Sequence, residues 1–167
     1  MNKAQLEVSV RSANAEDAAD VIAVLHEAAA WMVAKGTPAW DTSRLDQAFV
    51  EPFITRSQLI VASYGPLIVG ACTLSPNDPE FWPEAPDGLA AYLHKLAVRR
   101  AHAGRGVSLR LIAGCRDIAR DWGCSKLRLD CHPNLRSLYE RLGFSHFDTF
   151  YPRGDASYVV ERLEVGV

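Results

Sequence analysis

The sequence switches within a few residues from a strand pattern to a helical pattern, across a turn that contains two glycines. AYLHKLAV ends at Val98, RRAHAGRG follows, and apolar residues then recur at helical spacing from Val107 to Trp122. Gly104 and Gly106 allow backbone N–H groups at the helix start to point outward without an obstructing Cβ. Those amides lack partners inside the helix, and the helix dipole adds about half a positive charge there. The turn therefore predicts an anion site, most naturally for a pyrophosphate.

The other segments predict one mixed α/β domain over residues 1–167, a length that suits a single core. A turn at Gly65 and Pro66 indicates a tight antiparallel hairpin, and Pro52 should end or kink the second helix. The predicted order is βααβββαβαββ. Its strands cover 7–11, 58–64, 67–75, 91–98, 126–131, 144–151 and 157–165, and its helices cover 14–36, 43–55, 107–122 and 134–142.

Composition argues against several classes of protein. A formal net charge of -2 and a pI of 6.2 predict no nucleic-acid partner. The start MNKAQLEVSV lacks the apolar core of a signal peptide, and no run reaches the roughly eighteen apolar residues that span a bilayer. We therefore expect a cytoplasmic protein without a membrane segment, whose four single cysteines are reduced thiols.

No metal is expected from the histidine and cysteine pattern. Cys131 with His132, joined by His102 or His146, would be a conceivable ligand set, but the spacing matches no zinc pattern. The segment PNDPEFWPEAPDG, residues 76–88, is predicted to lack regular structure. It is either a surface connection whose aromatic residues lie on the core or a lid that faces a substrate.

The glycine turn alone is a weak signal, so alternatives need weighing. A P-loop would place lysine and then serine or threonine after the last glycine, whereas Val107 and Ser108 follow here. A dinucleotide fingerprint would require a third glycine at Leu109, and Asp130 is a poor equivalent of its ribose-binding acid. A dinucleotide enzyme is therefore the alternative from another enzyme class.

The stretch YLHKLAVRRAHAGRGVSLRLIAGCRDIARDWGCSKLRLDCHPNLRSLYERLGF, residues 92–144, resembles the GNAT superfamily of N-acetyltransferases element by element. Residues 11–40 have the same family character. The resemblance implies one α/β domain with a twisted, mixed and mostly antiparallel sheet of about seven strands, flanked by about four helices. It also implies acetyl transfer from acetyl-CoA to a primary amine of a small molecule or peptide, and it allows a homodimer.

The family's phosphate turn falls on Ala103, Gly106 and Ser108. The family has glutamine or arginine at the first of these positions, glycine at the second, and glycine or alanine at the third. Ala103 and Ser108 therefore depart from the family pattern, and Gly106 matches it. Backbone amides make most contacts there, so the location of the site is expected to hold. By the resemblance, one strand pairs with the pantetheine arm, the turn holds the pyrophosphate and one asparagine touches the arm. The implied cofactor residues are Leu96, Ala97, Val98, Ala103, Gly104, Arg105, Gly106, Val107, Ser108, Leu109 and Asn134.

The same resemblance makes Tyr139 the general acid. Its phenol, with a pKa of about 10, stays protonated at neutral pH and can donate to a thiolate whose conjugate acid titrates at about 8.5. An amine with a pKa of about 10 must lose a proton before it attacks. His94, two residues before Leu96 and so on the same strand face by alternation, is the first candidate base, ahead of His26 and Glu27. A purely structural histidine and a water relay remain open.

Trp31 and Trp40, with Tyr92, are predicted to contact the acceptor, although tryptophans are more often core residues. Arg99, Arg100, His102 and Arg105 form a basic cluster that either meets the 3'-phosphate of coenzyme A or is simply solvated. A non-catalytic acyl-CoA-binding module is the second alternative, and the acceptor amine is not identified.

Overall fold

The computed structural model describes residues 7–167 and contains eleven helices and strands in the predicted order βααβββαβαββ. Residues 1–6, which belong to the segment without a signal-peptide pattern, lie outside the described residues. The strands and helices are β1 (Ser9–Ser12), α1 (Ala18–Ala34), α2 (Gln47–Thr55), β2 (Leu59–Tyr64), β3 (Leu67–Ser75), β4 (Ala90–Val98), α3 (Val107–Asp121), β5 (Lys126–Cys131), α4 (Arg136–Arg141), β6 (Ser145–Phe150) and β7 (Val160–Gly166).

All seven strands form one sheet in the order β1-β2-β3-β4-β5-β7-β6. Every neighbouring pair is antiparallel except β4 and β5, which are parallel. The predicted mixed, mostly antiparallel sheet is therefore confirmed. Strand β7 lies between β5 and β6, so the final hairpin folds back into the sheet instead of extending its edge.

Strands β4 and β5 pair over only a short stretch, and then they diverge. Pairing runs from Ala90 with Lys126 to Tyr92 with Arg128, although β4 continues to Val98 and β5 to Cys131. The unpaired ends of two adjacent strands leave a gap in the middle of the sheet. This gap is where a ligand can enter the fold.

A β-bulge at Lys95 reverses the side-chain alternation along β4. Ala71 of β3 pairs with Ala97 and Thr73 pairs with His94, so β4 holds one extra residue, and Lys95 has a φ of 55°. Consequently Leu93 and Leu96 both pack in the core beneath α3, whereas His94 contacts the ring of Phe81. The prediction that His94 and Leu96 share a face is therefore wrong, because a bulge shifts the phase of alternation by one residue.

Three helix starts differ from the prediction. Helix α1 begins at Ala18 instead of residue 14, after a 3-10 turn over Ala15–Asp17 that Asn14 caps. Helix α2 begins at Gln47 instead of residue 43, because Asp46 caps it by accepting from the amide of Phe49. Pro52 lies inside α2 without ending it. Helix α4 begins at Arg136 instead of residue 134, after a 3-10 turn over Pro133–Leu135 that starts with a proline.

Helices cover both faces of the sheet. Helices α1 and α2 pack on one face through residues such as Val24, Leu25 and Val50. Helix α3 packs on the other face through Val107, Leu111 and Cys115. Within residues 7–167, no helix combines the length and apolar composition that crossing a membrane requires.

Candidate active site

A cleft of about 750 Å³ passes through the gap between β4 and β5 and reaches the start of α3. One side is built around the turn after β4, and the other around the ends of α1, β4 and β5. The predicted residues that line it are Trp31, Trp40, His94, Leu96, Ala97, Val98, Ala103, Gly104, Gly106, Val107, Ser108, Leu109 and Tyr139. Three separate parts of the chain thus meet at one cleft.

The turn before α3 presents a row of backbone amides toward the cleft. Gly104 and Gly106 have φ angles of 74° and 79°, in the left-handed region that glycine adopts without strain. Gly106 is the N-cap of α3, and no side chain in the described part of the chain caps the helix. Among residues 7–167, no protein acceptor takes the N–H groups of residues 104–109. Free amides at the N-terminus of a 15-residue helix fit a diphosphate.

The predicted basic cluster is mostly committed to other contacts. The Nε of Arg99 donates to the carbonyl of Ile68, and its guanidinium faces the carboxylates of Asp20 and Glu27. Arg100 stacks over Trp31 at 4.5 Å, and His102 lies against Tyr64. Arg105 is exposed and forms no ion pair within residues 7–167. Arg100 likewise forms no ion pair within residues 7–167 and lines the cleft, so Arg100 and Arg105 are the two arginines whose charges are available to an anion.

Tyr139 projects from α4 into the cleft and packs edge-on against Phe144 at a centroid distance of 6.1 Å. Burial raises the pKa of its phenol well above the usual value, and the neighbouring Cys131 and Asp130 act in the same direction. The hydroxyl therefore keeps its proton throughout the neutral range. This is the state that a general acid requires.

His94 lies between two buried carboxylates. Its Nε2 is 2.9 Å from Oδ2 of Asp78, and its Nδ1 is 3.6 Å from Oδ1 of Asp130. Burial alone would lower the pKa of His94, but the hydrogen bond to Asp78 and the charge of Asp130 outweigh it, so the pKa is raised. Burial raises the pKa of Asp130 to about 6, against the opposing charge of His94. Both ring nitrogens are thus directed at acids.

Aromatic and cationic side chains wall the cleft on the same side of the sheet as His94. Trp31 and Trp40 line it with Phe81 and Tyr158. Both tryptophan rings form cation–π contacts with side chains of the protein. Arg100 lies over Trp31, and the Nζ of Lys95 lies 5.1 Å from the Trp40 centroid. Burial lowers the pKa of Lys95.

The loop of residues 76–88 contacts both the core and the cleft. Trp82 is buried against Tyr92 and under the guanidinium of Arg128, as in a core connection. Phe81, in contrast, lines the cleft, and Asp78 holds His94. The chain therefore uses one loop both to close its core and to shape the cleft.

Some predicted residues lie away from the cleft. Tyr92 is buried under Trp82 on the paired part of β4, so its predicted contact with an acceptor is corrected. Asn134 is exposed and lies beside the cleft lining. Its backbone N–H donates to Nδ1 of His132, and His132 itself lines the cleft. The side chain of Arg105 also lies outside the lining. His26 bonds the Leu45 carbonyl, and Glu27 accepts from the amide of Arg100, so neither faces the cleft.

Sequence reasoning missed three polar residues of the site, namely Asp78, Lys95 and Asp130, the last of which was considered only as a poor ribose-binding acid. The strand pattern gave no signal for Asp130, because KLRLDC alternates charged and apolar residues and so predicts a solvent-facing acid. The ligand atoms of Asp78, His94 and Asp130 lie within 4.8 Å of one another, close enough for a cation. Within residues 7–167, Cys131 and His132 do not form such a group with His102 or His146; His146 pairs with Glu161, and His102 lies against Tyr64.

Comparisons with known proteins agree with this geometry. The model of the acetyltransferase (GNAT) family matches residues 25–144. An uncharacterized protein in the sul1 3' region of Escherichia coli is 55% identical over 71 residues, which cover 42% of this chain and 91% of that protein.

Two solved structures share the fold. A GNAT family acetyltransferase from Listeria monocytogenes superposes with a TM-score of 0.76 at 20% identity, covering 100% of this chain and 99% of that one. The PaiA N-acetyltransferase of Thermoplasma acidophilum, in complex with coenzyme A, superposes with a TM-score of 0.73 at 18% identity, covering 96% of this chain and 99% of that one. The family match covers most of the residues that line the cleft and most of the chain, so this protein belongs to the acetyltransferase (GNAT) family.

Proposed function

We propose that the protein is an acetyl-CoA-dependent N-acetyltransferase that moves the acetyl group directly to a primary amine while both substrates are bound. The observation that carries the proposal is the row of amides at residues 104–109, which have no acceptor among residues 7–167 and open onto the same cleft as Tyr139. A site built only to bind an acyl-CoA would have no need of a protonated phenol at that point.

Donor binding is assigned to the turn and to the end of β4. The amides of Gly104 to Leu109 would hold the pyrophosphate, and the unpaired edge of Leu96 to Val98 would run beside the pantetheine arm. Arg105 is available for the 3'-phosphate. Bound there, acetyl-CoA supplies an activated thioester, and the protein residues supply position and proton control.

Tyr139 is assigned as the general acid. It holds its proton at neutral pH and can give it to the thiolate that leaves when the amine attacks. As the amide forms, the acceptor nitrogen loses a further proton. The phenolate of Tyr139 takes up that proton, which restores the phenol. The acceptor would lie beside Trp31, Trp40 and Phe81, where the apolar wall shields the attacking amine from water.

The test is an amine panel with purified full-length protein and acetyl-CoA. Release of free thiol, matched by acetylated amine in mass spectrometry, is expected for at least one alkylamine, and thiol release without acetylated amine would contradict the proposal. A thermal-shift comparison addresses the dinucleotide alternative, because a ligand that binds the folded state raises Tm. Coenzyme A should raise Tm, and NAD at the same concentration should not.

Two predictions from the sequence remain to be tested. A homodimer follows only from the resemblance, and light scattering coupled to size exclusion would measure it. A cytoplasmic location is likewise a prediction, which fractionation of the source cells would test.

A further inference from the structure

Asp130 occupies an unusual position at the unpaired end of β5. Leu127, Leu129 and Cys131 pack in the core beneath α3, so alternation places Asp130 on the opposite face of the sheet, where it lines the cleft. Its side chain is only 11% exposed. Its Oδ1 is buried and has no hydrogen-bond partner within residues 7–167. A buried acceptor atom left unpaired beside a cleft is costly unless a ligand uses it.

The charges around Asp130 come from several elements. From β4, Nδ1 of His94 lies 3.6 Å away, and Lys95 follows it at the bulge. Asp78 of the loop acts from behind His94, while Tyr139 of α4 and Tyr158 line the same cleft. Arg162 pairs with Asp130 in the β5–β7 register, but its guanidinium is bound to Asp148 and Glu84. His94 is thus the charged group that contacts Asp130 directly.

His94 is poorly placed to be the free base that the sequence suggested. A histidine between two carboxylates is stabilised as imidazolium, which has no lone pair to offer. Asp78 is itself fixed, because its Oδ1 accepts from the amide of Phe81. Oδ2 of Asp78 faces Nε2 of His94, and Asp78 does not line the cleft, whereas Asp130 does. Its pKa of about 6 leaves it mostly ionised at neutral pH but able to accept a proton.

We propose that Asp130 takes the proton from the acceptor ammonium, and that His94 and Asp78 are positioning residues that hold it ready. In this step one N–H bond of the ammonium breaks, its electron pair stays on nitrogen, and an O–H bond forms on Asp130. The neutral amine can then attack. The inference rests on the proposed function and assigns this role to Asp130 for acceptors that are cations at neutral pH.

A pair of acceptors that differ in charge tests this inference. We would measure kcat/KM against pH with 2-phenylethylamine, a cation at neutral pH, and with aniline, which is already neutral. Variants Asp130→Asn, His94→Gln and Asp78→Asn would be compared with Asp121→Asn, an exposed aspartate at the end of α3. Coenzyme A binding and thermal unfolding would establish that each variant folds.

Asp130→Asn should lower kcat/KM for 2-phenylethylamine by about 10²–10⁴-fold, as loss of a general base does, and for aniline by less than about tenfold. Wild-type activity with the cationic amine should fall below a pH of about 6. His94→Gln should move this fall in activity to higher pH, because the imidazolium no longer favours the ionised carboxylate of Asp130. An unchanged dependence of kcat/KM on pH in His94→Gln, or equal losses with both amines in Asp130→Asn, would overturn the assignment.

Carbon-detected NMR titration of the Asp130 carboxyl, with 2-phenylethylamine added, separates this inference from the proposed function. If wild type acetylated neither amine, a carboxyl that titrates near 6 and responds to the amine would still support the assignment. A carboxyl that titrates near the ordinary value of about 4 would refute it. Loss of activity in EDTA with recovery in Zn²⁺ would also refute it, by making the three residues metal ligands.

Discussion

The two sides of the cleft are built from different parts of the polypeptide. The donor side consists of consecutive backbone amides from residue 104 to residue 109, held by two left-handed glycines and one helix. The acceptor side consists of side chains from four distant places, represented by Trp31, Asp78, His94 and Asp130. The first needs only a local turn, whereas the second exists only once the sheet and its loops have assembled.

This difference affects how each side tolerates change. Backbone amides survive substitution of their own side chains, which explains how Ala103 and Ser108 can replace the residues that the family turn prefers. A cluster of side chains has no such tolerance, because each member leaves its partners unpaired when it is removed. Variants on the two sides should therefore fail in different ways.

The largest effect is expected at Tyr139, where the two sides meet. Tyr139→Phe should lower kcat by about 10²–10⁴-fold, because the leaving thiolate loses its proton donor, while coenzyme A affinity stays the same. Steady-state kinetics with isothermal titration calorimetry would measure both. Tyr151→Phe is the control, since Tyr151 is exposed outside the cleft. Unchanged kcat in Tyr139→Phe would remove the phenol from the chemistry.

Next in size is a variant that disturbs the donor side from behind. A Cβ at Gly114 of α3 would lie 2.6 Å from Cγ1 of Val10 in β1. Gly114→Ala should therefore reduce the free energy of unfolding by about 1–3 kcal/mol and weaken coenzyme A binding as α3 shifts. Urea unfolding would measure the loss. The double variant Gly114→Ala with Val10→Ala should recover part of the affinity, and failure to recover any would mean that this contact does not hold α3.

A charge placed among the amides should act on the donor side alone. Ser108→Glu puts a carboxylate at the anion site and should weaken coenzyme A binding by about tenfold, or about 1.4 kcal/mol. The measurement is calorimetric, with Ser145→Glu on exposed β6 as the control. An unaltered affinity in Ser108→Glu would place the diphosphate elsewhere.

The smallest effect tests whether the donor side uses any side chain. Arg105→Ala should weaken coenzyme A binding by up to about fivefold, because an exposed ion pair contributes about 0.2–1 kcal/mol. The loss should disappear with dephospho-coenzyme A, which lacks the 3'-phosphate, and should shrink at high salt. Arg56→Ala, also exposed, provides the comparison. Equal losses with both ligands would show that Arg105 does not meet the 3'-phosphate.

Local sequence patterns were sufficient to predict the order of helices and strands and the position of the glycine turn before α3. Alternation along LIVGACTLS, helical spacing after Val107 and the glycines at 104 and 106 each express a backbone preference over a few residues. Such preferences are legible in a single sequence because the interacting groups are neighbours along the chain. The start of α2 was misplaced because the cap at Asp46 outweighed the apolar pattern, and the starts of α1 and α4 were misplaced because a 3-10 turn precedes each helix.

The acceptor side depended on the assembled fold. The bulge at Lys95 places His94 on the sheet face opposite to Leu96, and the residue pattern of HKLAV does not predict this bulge. Asp78 reaches His94 only because Trp82 anchors the loop on the core, and Asp130 meets both only because β4 and β5 part after Tyr92. Contacts between residues far apart in sequence arise from packing, so their pairing could not be read before the sheet was known.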